Sequence, residues 1–339
     1  MELQGVAKKG MQTFVKDLLW EYQADFVGFQ ETIKKRYPLS FFRKIDPQQK
    51  YVWHWIPSRG RSGGILSGIK TERFDILSSK TGTYFIMVKV FDKKLRKNLC
   101  LVNVYGPAQD EGKEVFLTEL AQICYENKDP MLVGGDFNIL RFSDEKNKNF
   151  RPNRYSDMFN LIINSYALRD LTLNGGLYTW SNNHEDPTLE KLDRCLMSEN
   201  WESLFPLSNL RKIPRYLSDH NPLLLCTHQY KIKNKTFSFE NSWFKQEDFL
   251  PKIQEIWGRK VIASFAVERW YIKINRVKKF LKGWGLNLKG QVRRYKHLLQ
   301  DELTKLEKRE ESSSLPADLL DKKTFIQTEL QKLLEEEEE

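Results

Sequence analysis

With 339 residues and 40% apolar content, the chain can bury a sizeable core as one large domain with an appendage or as two domains, which excludes disorder throughout. Fifty-five Lys and Arg against 45 Asp and Glu leave a net charge of +10, which favours polyanionic partners such as nucleic acid but is equally met by simple solubility. No apolar run approaches about 18 residues and no secretory core opens the chain, so no membrane partner is expected and a nuclear or cytoplasmic location is.

In residues 12–24, Phe14, Val15, Leu18, Leu19 and Tyr22 mark an amphipathic helix, and Asp25 to Gln30 reads as a short strand with Glu31 at its end. A loop rich in Lys, Arg and Trp follows. Gly64 to Ile69, Tyr84 to Phe91 and Leu99 to Tyr105 are predicted strands, the last nearly all apolar, with Tyr105 leaving beside the Gly106-Pro107 turn signal. Phe116, Leu120, Ile123 and Cys124 define a second helix, and Tyr155, Phe159, Ile162, Ile163 and Tyr166 a third, on either side of a strand that starts at Met131. Strands around Tyr178 to Ser181, Leu192 to Met197 and Pro222 to Thr227 complete two strand runs interrupted by helices. That pattern predicts a four-layer α/β sandwich, two packed mixed β-sheets flanked by helices. Cys100, Cys124, Cys195 and Cys226 lie far apart, mostly in apolar runs, and read as small buried hydrophobes in a reducing compartment.

The core-forming pattern ends near His228, so residues 1–228 are expected to form one domain and 229–339 a helical linker region. Beyond the basic stretch Lys231 to Lys235, Trp257, Trp270, Phe280 and Trp284 stud segments expected to break at Gly283 and Gly285. Leu298, Leu299, Leu303 and Leu306 recur at helical spacing. Ser312 to Pro316 stops that helix and Ala317 to Leu334 forms another, giving an antiparallel helical hairpin.

Chemistry concentrates first in Met131 to Asn138. Three apolar residues run into Gly134 and Gly135, which admit close backbone approach, and Asp136 and Asn138 then emerge two apart on one side of an extended chain. Such a pair can orient a water and a phosphoryl oxygen, although an ordinary Asp/Asn turn after a core strand has the same residues. Glu31, Tyr105, Asp193 and Ser218-Asp219-His220 share this placement at strand termini. Singly, each has a plainer reading: a surface Glu31, an Asp193–Arg194 ion pair, a turn capped by His220. Gathered at one rim they would be a set of carboxylates with an imidazole, an amide and a phenol, hard donors suited to Mg²⁺ and a substrate phosphate.

The ordered series Gln30-Glu31-Thr32, Asn103-Val104-Tyr105-Gly106-Pro107, Gly134-Gly135-Asp136-Phe137-Asn138, Leu192-Asp193-Arg194 and Ser218-Asp219-His220-Asn221-Pro222 resembles the endonuclease/exonuclease/phosphatase superfamily. Tyr178-Thr179-Trp180-Ser181-Asn182 and Phe237-Ser238-Phe239-Glu240-Asn241-Ser242-Trp243 look more closely like the endonuclease domain of plant LINE-type (non-LTR) retrotransposon polyproteins. The resemblance implies Mg²⁺-dependent hydrolysis of DNA phosphodiesters, with Mn²⁺ able to substitute, and DNA and the retroelement's RNA as partners. By the same resemblance Glu31 holds the metal with Asp219 beside it, and Asp136 activates or positions water. Asn138 steadies the phosphate, Tyr105 donates a hydrogen bond to it, and His220 contacts the scissile phosphoryl group while Asp193 fixes its tautomer. Ser218 and Thr179 support them, and Lys34, Lys35, Arg36, Arg59 and Arg61 grip the DNA backbone. The family opens with a strand carrying a Trp-Asn or similar pair, whose Asn helps hold the metal, and no Asn precedes the first helix here. The expectation is therefore an open reading frame truncated at its N-terminus and before the reverse transcriptase, with a weakened sheet edge and impaired or absent catalysis. The alternatives are a non-catalytic nucleic-acid-binding remnant and a small-molecule phosphatase of the same fold.

Overall fold

The computed structural model describes residues 10–58, 63–227, 247–263 and 265–338, with the side chains of 282–291 and 338 left aside. The expectations about what precedes the first helix, about Arg59 and Arg61, and about Lys231 to Lys235 and Phe237 to Trp243 lie outside the described residues.

Helix α1 (Met11–Tyr22) buries the predicted stripe through Phe14, Val15 and Leu19, and β1 (Phe26–Phe29) follows. The stretch expected to be a loop instead contains α2 (Leu39–Ile45) and β2 (Tyr51–Ile56). Its aromatic residues obscure any apolar–polar period because they pack on one another: Phe42 stacks on Trp53 at 5.5 Å and Tyr37 meets Trp55 edge-on at 5.7 Å. Strand β3 (Ile65–Lys70), buried at every position, pairs antiparallel with both β1 and β2.

A larger sheet begins with β4 (Phe74–Thr81), β5 (Phe85–Asp92) and β6 (Lys97–Tyr105), and continues after α3 (Asp110–Glu126) with β7 (Met131–Asp136). Helix α4 (Arg154–Ser165) leads to the short strands β8 (Arg169–Asp170) and β9 (Leu173–Asn174), and then to the pair β10 (Trp180–Ser181) and β11 (Leu189–Glu190). Strand β12 (Asp193–Met197), α5 (Glu199–Leu204), β13 (Asn209–Lys212) and β14 (Leu223–Cys226) complete the sandwich strands. The six-stranded sheet has the order β4-β5-β6-β7-β12-β8; β6 and β7 are parallel and the other pairs antiparallel.

Alternation of side chains along these strands divides the core in two. Met87, Val102, Val104, Met131 and Val133 face α3 and α4 through Phe116, Leu120 and Phe159. Ile86, Val88, Leu101, Leu132 and Met197 face the other way, onto Ile65 and Ile69 of β3 and Leu210 of β13. The outer side of that second β layer is covered by helices: Phe14 of α1 meets Tyr216 at 5.0 Å, and Phe42 of α2 stacks on Trp53. This is the four-layer α/β sandwich, with its second β layer made of two three-stranded pieces, β1-β3-β2 and β14-β13-β9.

The contacts divide the chain into two units, Met1–Tyr230 with Leu303–Glu339, and Lys231–Glu302, so the helical region expected as one piece over 229–339 is shared between them. In the second unit, α6 (Phe249–Gly258) packs Phe249 and Ile253 on Val277, Phe280 and Leu281 of α7 (Ala266–Glu310). Helix α7 passes Gly283 and Gly285 without the expected break. A helical glycine costs only about 1 kcal/mol, which its neighbours absorb. In the first unit, Leu303 and Leu306 at the end of α7 are buried with Ile326, Leu330 and Leu334 of α8 (Ala317–Glu338). Among the described residues, no helix is long and apolar enough to cross a membrane. All four cysteines are free, and burial pushes the Cys100, Cys124 and Cys195 thiols up to about 12.

Arg194 does not pair with Asp193, because successive residues of β12 point to opposite faces. It is fully buried and forks instead onto Glu145 at 2.8 and 2.9 Å and onto Asp170 at 2.9 Å. Burial opposes ionisation of both acids, but the Arg194 guanidinium outweighs it and holds both carboxyls below their ordinary range. Arg194→Met should therefore cost about 3–5 kcal/mol at neutral pH, by leaving buried acids without their main cation. Since both folded-state pKa values lie below the unfolded ones, the wild-type advantage is present above the ordinary carboxylate range and lost as the acids protonate below it. Urea unfolding of both proteins from pH 7 downward should show the gap closing; a gap that stays constant would contradict the assignment.

Candidate active site

Three neighbouring strands meet at one rim. Because β6 and β7 are parallel, Tyr105 lies directly across from Asp136; because β12 runs back, its first residue, Asp193, lies across from Asp136 on the other side. Asp193 thus opens its strand where Tyr105 and Asp136 close theirs. The backbone crowds here as the glycines anticipated. At Gly135, φ is 147° and a Cβ would stand 2.0 Å from the Val104 carbonyl oxygen; at Gly106 it would stand 2.2 Å from that of Phe137.

Asp136 is fully buried and both its oxygens accept from Asn138, Oδ1 from the backbone N–H at 2.9 Å and Oδ2 from Nδ2 at 2.6 Å. Asn138 has φ 49°, a left-handed conformation that asparagine tolerates, and its Nδ2 also donates to Gly106 O at 3.0 Å. Both amide hydrogens are thereby used inside the rim. In this geometry Asn138 orients Asp136, a different task from the phosphate contact that the resemblance implied.

His220 Nδ1 lies 2.8 Å from Asp193 Oδ2, and the two residues are 4% and 2% exposed. An ionised carboxylate only accepts, so Nδ1 carries the hydrogen in this pair. Burial penalises the Asp193 charge, yet the adjacent imidazole, by charge and by hydrogen bond, holds that carboxyl below its usual range. The pair is fixed from several directions. Thr179 Oγ1 accepts from Leu192 N at 3.1 Å and Asp193 N at 3.0 Å, and Ser218 Oγ accepts from His220 N at 3.1 Å. Trp180 Nε1 donates to Asp219 Oδ2 at 2.9 Å, and Asn221 N donates to the Thr179 carbonyl at 2.7 Å. Trp180 and Asn221 lie inside the motifs quoted above, but residue type alone gave neither a role.

Glu31 enters from the second β layer. Gln30 Nε2 donates to Asn103 Oδ1, and Asn103 Nδ2 donates to Leu66 O at 3.2 Å and Ser67 Oγ at 3.0 Å. A Cβ on Gly28 would stand 2.8 Å from the Asn103 side chain, so β1 lies directly over it. This buried knot ties the end of β1, and Glu31 after it at φ 48°, to the strand that finishes two residues later at Tyr105. The only hint of it in the sequence is a polar Asn103 within an apolar run. Among the described residues, no three His, Cys, Asp or Glu side chains form a group that could hold a metal ion. Mg²⁺ needs no such group: it keeps several waters and binds through one or two carboxylates plus substrate phosphate, and Glu31 and Asp219 are carboxylates of that kind.

The basic residues after Glu31 differ among themselves. Lys34 lies over the Phe41 ring at 4.5 Å, its ammonium lowered by burial and then by Lys44, whereas Lys35 and Arg36 are exposed.

The Endonuclease/Exonuclease/phosphatase family matches the chain over residues 11–220. A search of the curated proteins finds no match. Among solved structures, the endonuclease domain of TRAS1, a telomere-specific non-LTR retrotransposon, is similar at 15% identity and a TM-score of 0.51, covering 66% of this chain and 94% of that one. The 3′ phosphatase NExo from Neisseria, bound to a product DNA hairpin, is similar at 13% identity and a TM-score of 0.51, with 66% and 95% covered. Humanized D. rerio TDP2 gives 15% identity and a TM-score of 0.44, with 66% and 95% covered. At these identities the likeness is one of fold. The family match runs from the first helix to His220 and takes in Glu31, Tyr105, Asp136, Asn138, Thr179, Asp193, Ser218 and Asp219, so the chain belongs to the Endonuclease/Exonuclease/phosphatase family.

Proposed function

We propose that the chain is a Mg²⁺-dependent endonuclease that hydrolyses DNA phosphodiesters, of the kind a non-LTR retroelement carries. The observation that carries this reading is the buried Asp193–His220 pair standing one strand away from Asp136. Phosphodiester hydrolysis requires a water placed for attack at phosphorus, relief of charge on the non-bridging oxygens, and help for the departing oxygen. Asp136, held at both oxygens by Asn138, positions that water and takes its proton. His220, committed to Asp193 through Nδ1, meets the phosphoryl group through Nε2 and, when protonated, stabilises the charge that develops there. Tyr105 donates its phenolic hydrogen to a non-bridging oxygen. Mg²⁺ or Mn²⁺, held by Glu31 with Asp219 nearby, would neutralise phosphate charge and assist the leaving oxygen.

DNA as substrate is supported by the Neisseria 3′ phosphatase of the same fold, which is bound to a product DNA hairpin. The retroelement origin, with its RNA as a further partner, is supported by Tyr178 to Asn182 and by the fold likeness to the TRAS1 endonuclease domain. A second reading, nucleic-acid binding without cleavage, draws on the net charge of +10.

Wild-type protein should nick supercoiled plasmid in the presence of Mg²⁺ and stop when EDTA is added. Asp136→Ala and His220→Ala should each slow nicking by about 100- to 10,000-fold, the usual range for removing an acid–base group. Equal nicking by all three proteins would refute the assignment, and binding without nicking by any of them would favour the second reading. In DNA-binding titrations over a range of salt, replacing both Lys35 and Arg36 by Ala should flatten the slope of log affinity against log salt by about 2, at roughly 0.9 per phosphate contact. An unchanged slope would remove these two side chains from the interface.

A further inference from the structure

Resting on the reading above, we propose that the C-terminal helical hairpin is a working part of the active site. Glu307 of α7 acts as a positioning residue that, through Asn221 and Arg215, sets the loop carrying His220. The family match ends at His220, so nothing in that match assigns a role to residues beyond it.

The contacts are direct and closed to solvent: Asn221 is 0% exposed, Glu307 2% and Arg215 3%. Glu307 Oε2 accepts from Asn221 Nδ2 at 3.0 Å, and Oε1 accepts from the Arg215 backbone N–H at 3.1 Å. Asn221 Oδ1 in turn accepts from Arg215 Nη1 at 3.1 Å, and Asn221 Nδ2 also donates to Ile213 O at 2.9 Å. Arg215 Nη2 donates to Glu310 at 2.8 Å, whose other oxygen accepts from Lys323 of α8 at 2.6 Å, while Gln327 Nε2 donates to Arg215 O at 3.2 Å. One residue further on, Glu311 pairs with Lys212 and accepts from Leu177 N at 2.8 Å, two residues before Thr179.

Both segments that hold the Asp193–His220 pair are therefore anchored on residues 307–311, where α7 ends. Thr179 fixes the Asp193 backbone, and the Asn221 N–H, bonded to the Thr179 carbonyl, joins that segment to the His220 loop. Buried carboxylates are retained in a fold only when partnered, and the partners of Glu307 are the residue next to His220 and the start of the His220 loop. Removing the Glu307 acceptor leaves the Asn221 amide and the Arg215 N–H without it. The imidazole then loses the alignment that keeps Nδ1–H on Asp193.

The test uses the full chain with Glu307→Ala, Glu307→Gln and, as a surface control on α8, Asp318→Ala. The first readout is the His220 tautomer from long-range ¹H–¹⁵N NMR, with the resonance assigned by its loss in His220→Gln. The second is the kcat and KM of plasmid nicking. Glu307→Ala should lose the single Nδ1–H tautomer and lower kcat by about 10- to 100-fold with KM within about twofold, the range seen when a supporting residue or a geometry is disturbed. Glu307→Gln, which keeps one acceptor oxygen, should fall in between, and Asp318→Ala should match wild type. If Glu307→Ala does not fold, the isosteric Glu307→Gln decides on the same readouts. A folded Glu307 variant with the wild-type tautomer and wild-type kcat would overturn the proposal. A wild type that does not nick DNA would instead overturn the function proposed above, and the tautomer alone would then decide the role of Glu307.

Discussion

The register of β6, β7 and β12 is the constraint on which the site depends. Asp136 is the register partner of Tyr105 on one side and of Asp193 on the other, and a slip of one residue would turn Asp136 to the other face of the sheet. What prevents the slip is apolar. Met131 and Val133 are committed to the helical layer and Leu132 to the second β layer, so a shifted β7 would present the wrong residues to both cores at once. The rim that gathers these side chains is thus fixed by packing several residues away from it, and Gly135 and Gly106 remove Cβ atoms that would force the backbone apart there.

Buried polar side chains complete what the apolar cores begin. Asn103 ties β1 to β3 and β6, Arg194 ties β12 to Glu145 and Asp170, and Arg215 with Asn221 ties the His220 loop to the hairpin. Each would be costly if left unsatisfied, and each finds its partners in a different element of the fold. The opposite facing of Asp193 and Arg194 is instructive. One side chain serves the imidazole and the next serves the outer layer, so two buried charges sit side by side in sequence without competing for one partner.

Most of the sandwich was legible in the sequence because its strands carry long apolar runs and its helices clear stripes, as in Leu99 to Val104 and Tyr155 to Ile163. Helix α2 and strand β2 were not, since Tyr37, Phe42, Trp53 and Trp55 pack on each other and blur the alternation that would announce them. The convergence of Tyr105, Asp136, Asp193 and His220 could be anticipated from polar residues at strand termini. The supporting bonds could not, because the donor of Trp180, the amide of Asn221 and the carboxylate of Glu307 take their meaning only from three-dimensional neighbours. The hairpin was readable as helices from its leucine spacing. Its polar grip on the rim was not, since Glu307 and Glu310 look like any acids on a charged helix until Arg215 is placed against them.

In the proposed reaction Asp136 and His220, 84 positions apart in the chain, act as one catalytic unit. A double-mutant cycle on plasmid nicking tests this most directly, using Asp136→Ala, His220→Ala and both together. The doubly substituted protein should be about as slow as the slower single variant, because residues that act together lose their contribution together. Losses that multiply as for independent sites, or a double variant as fast as wild type, would contradict it.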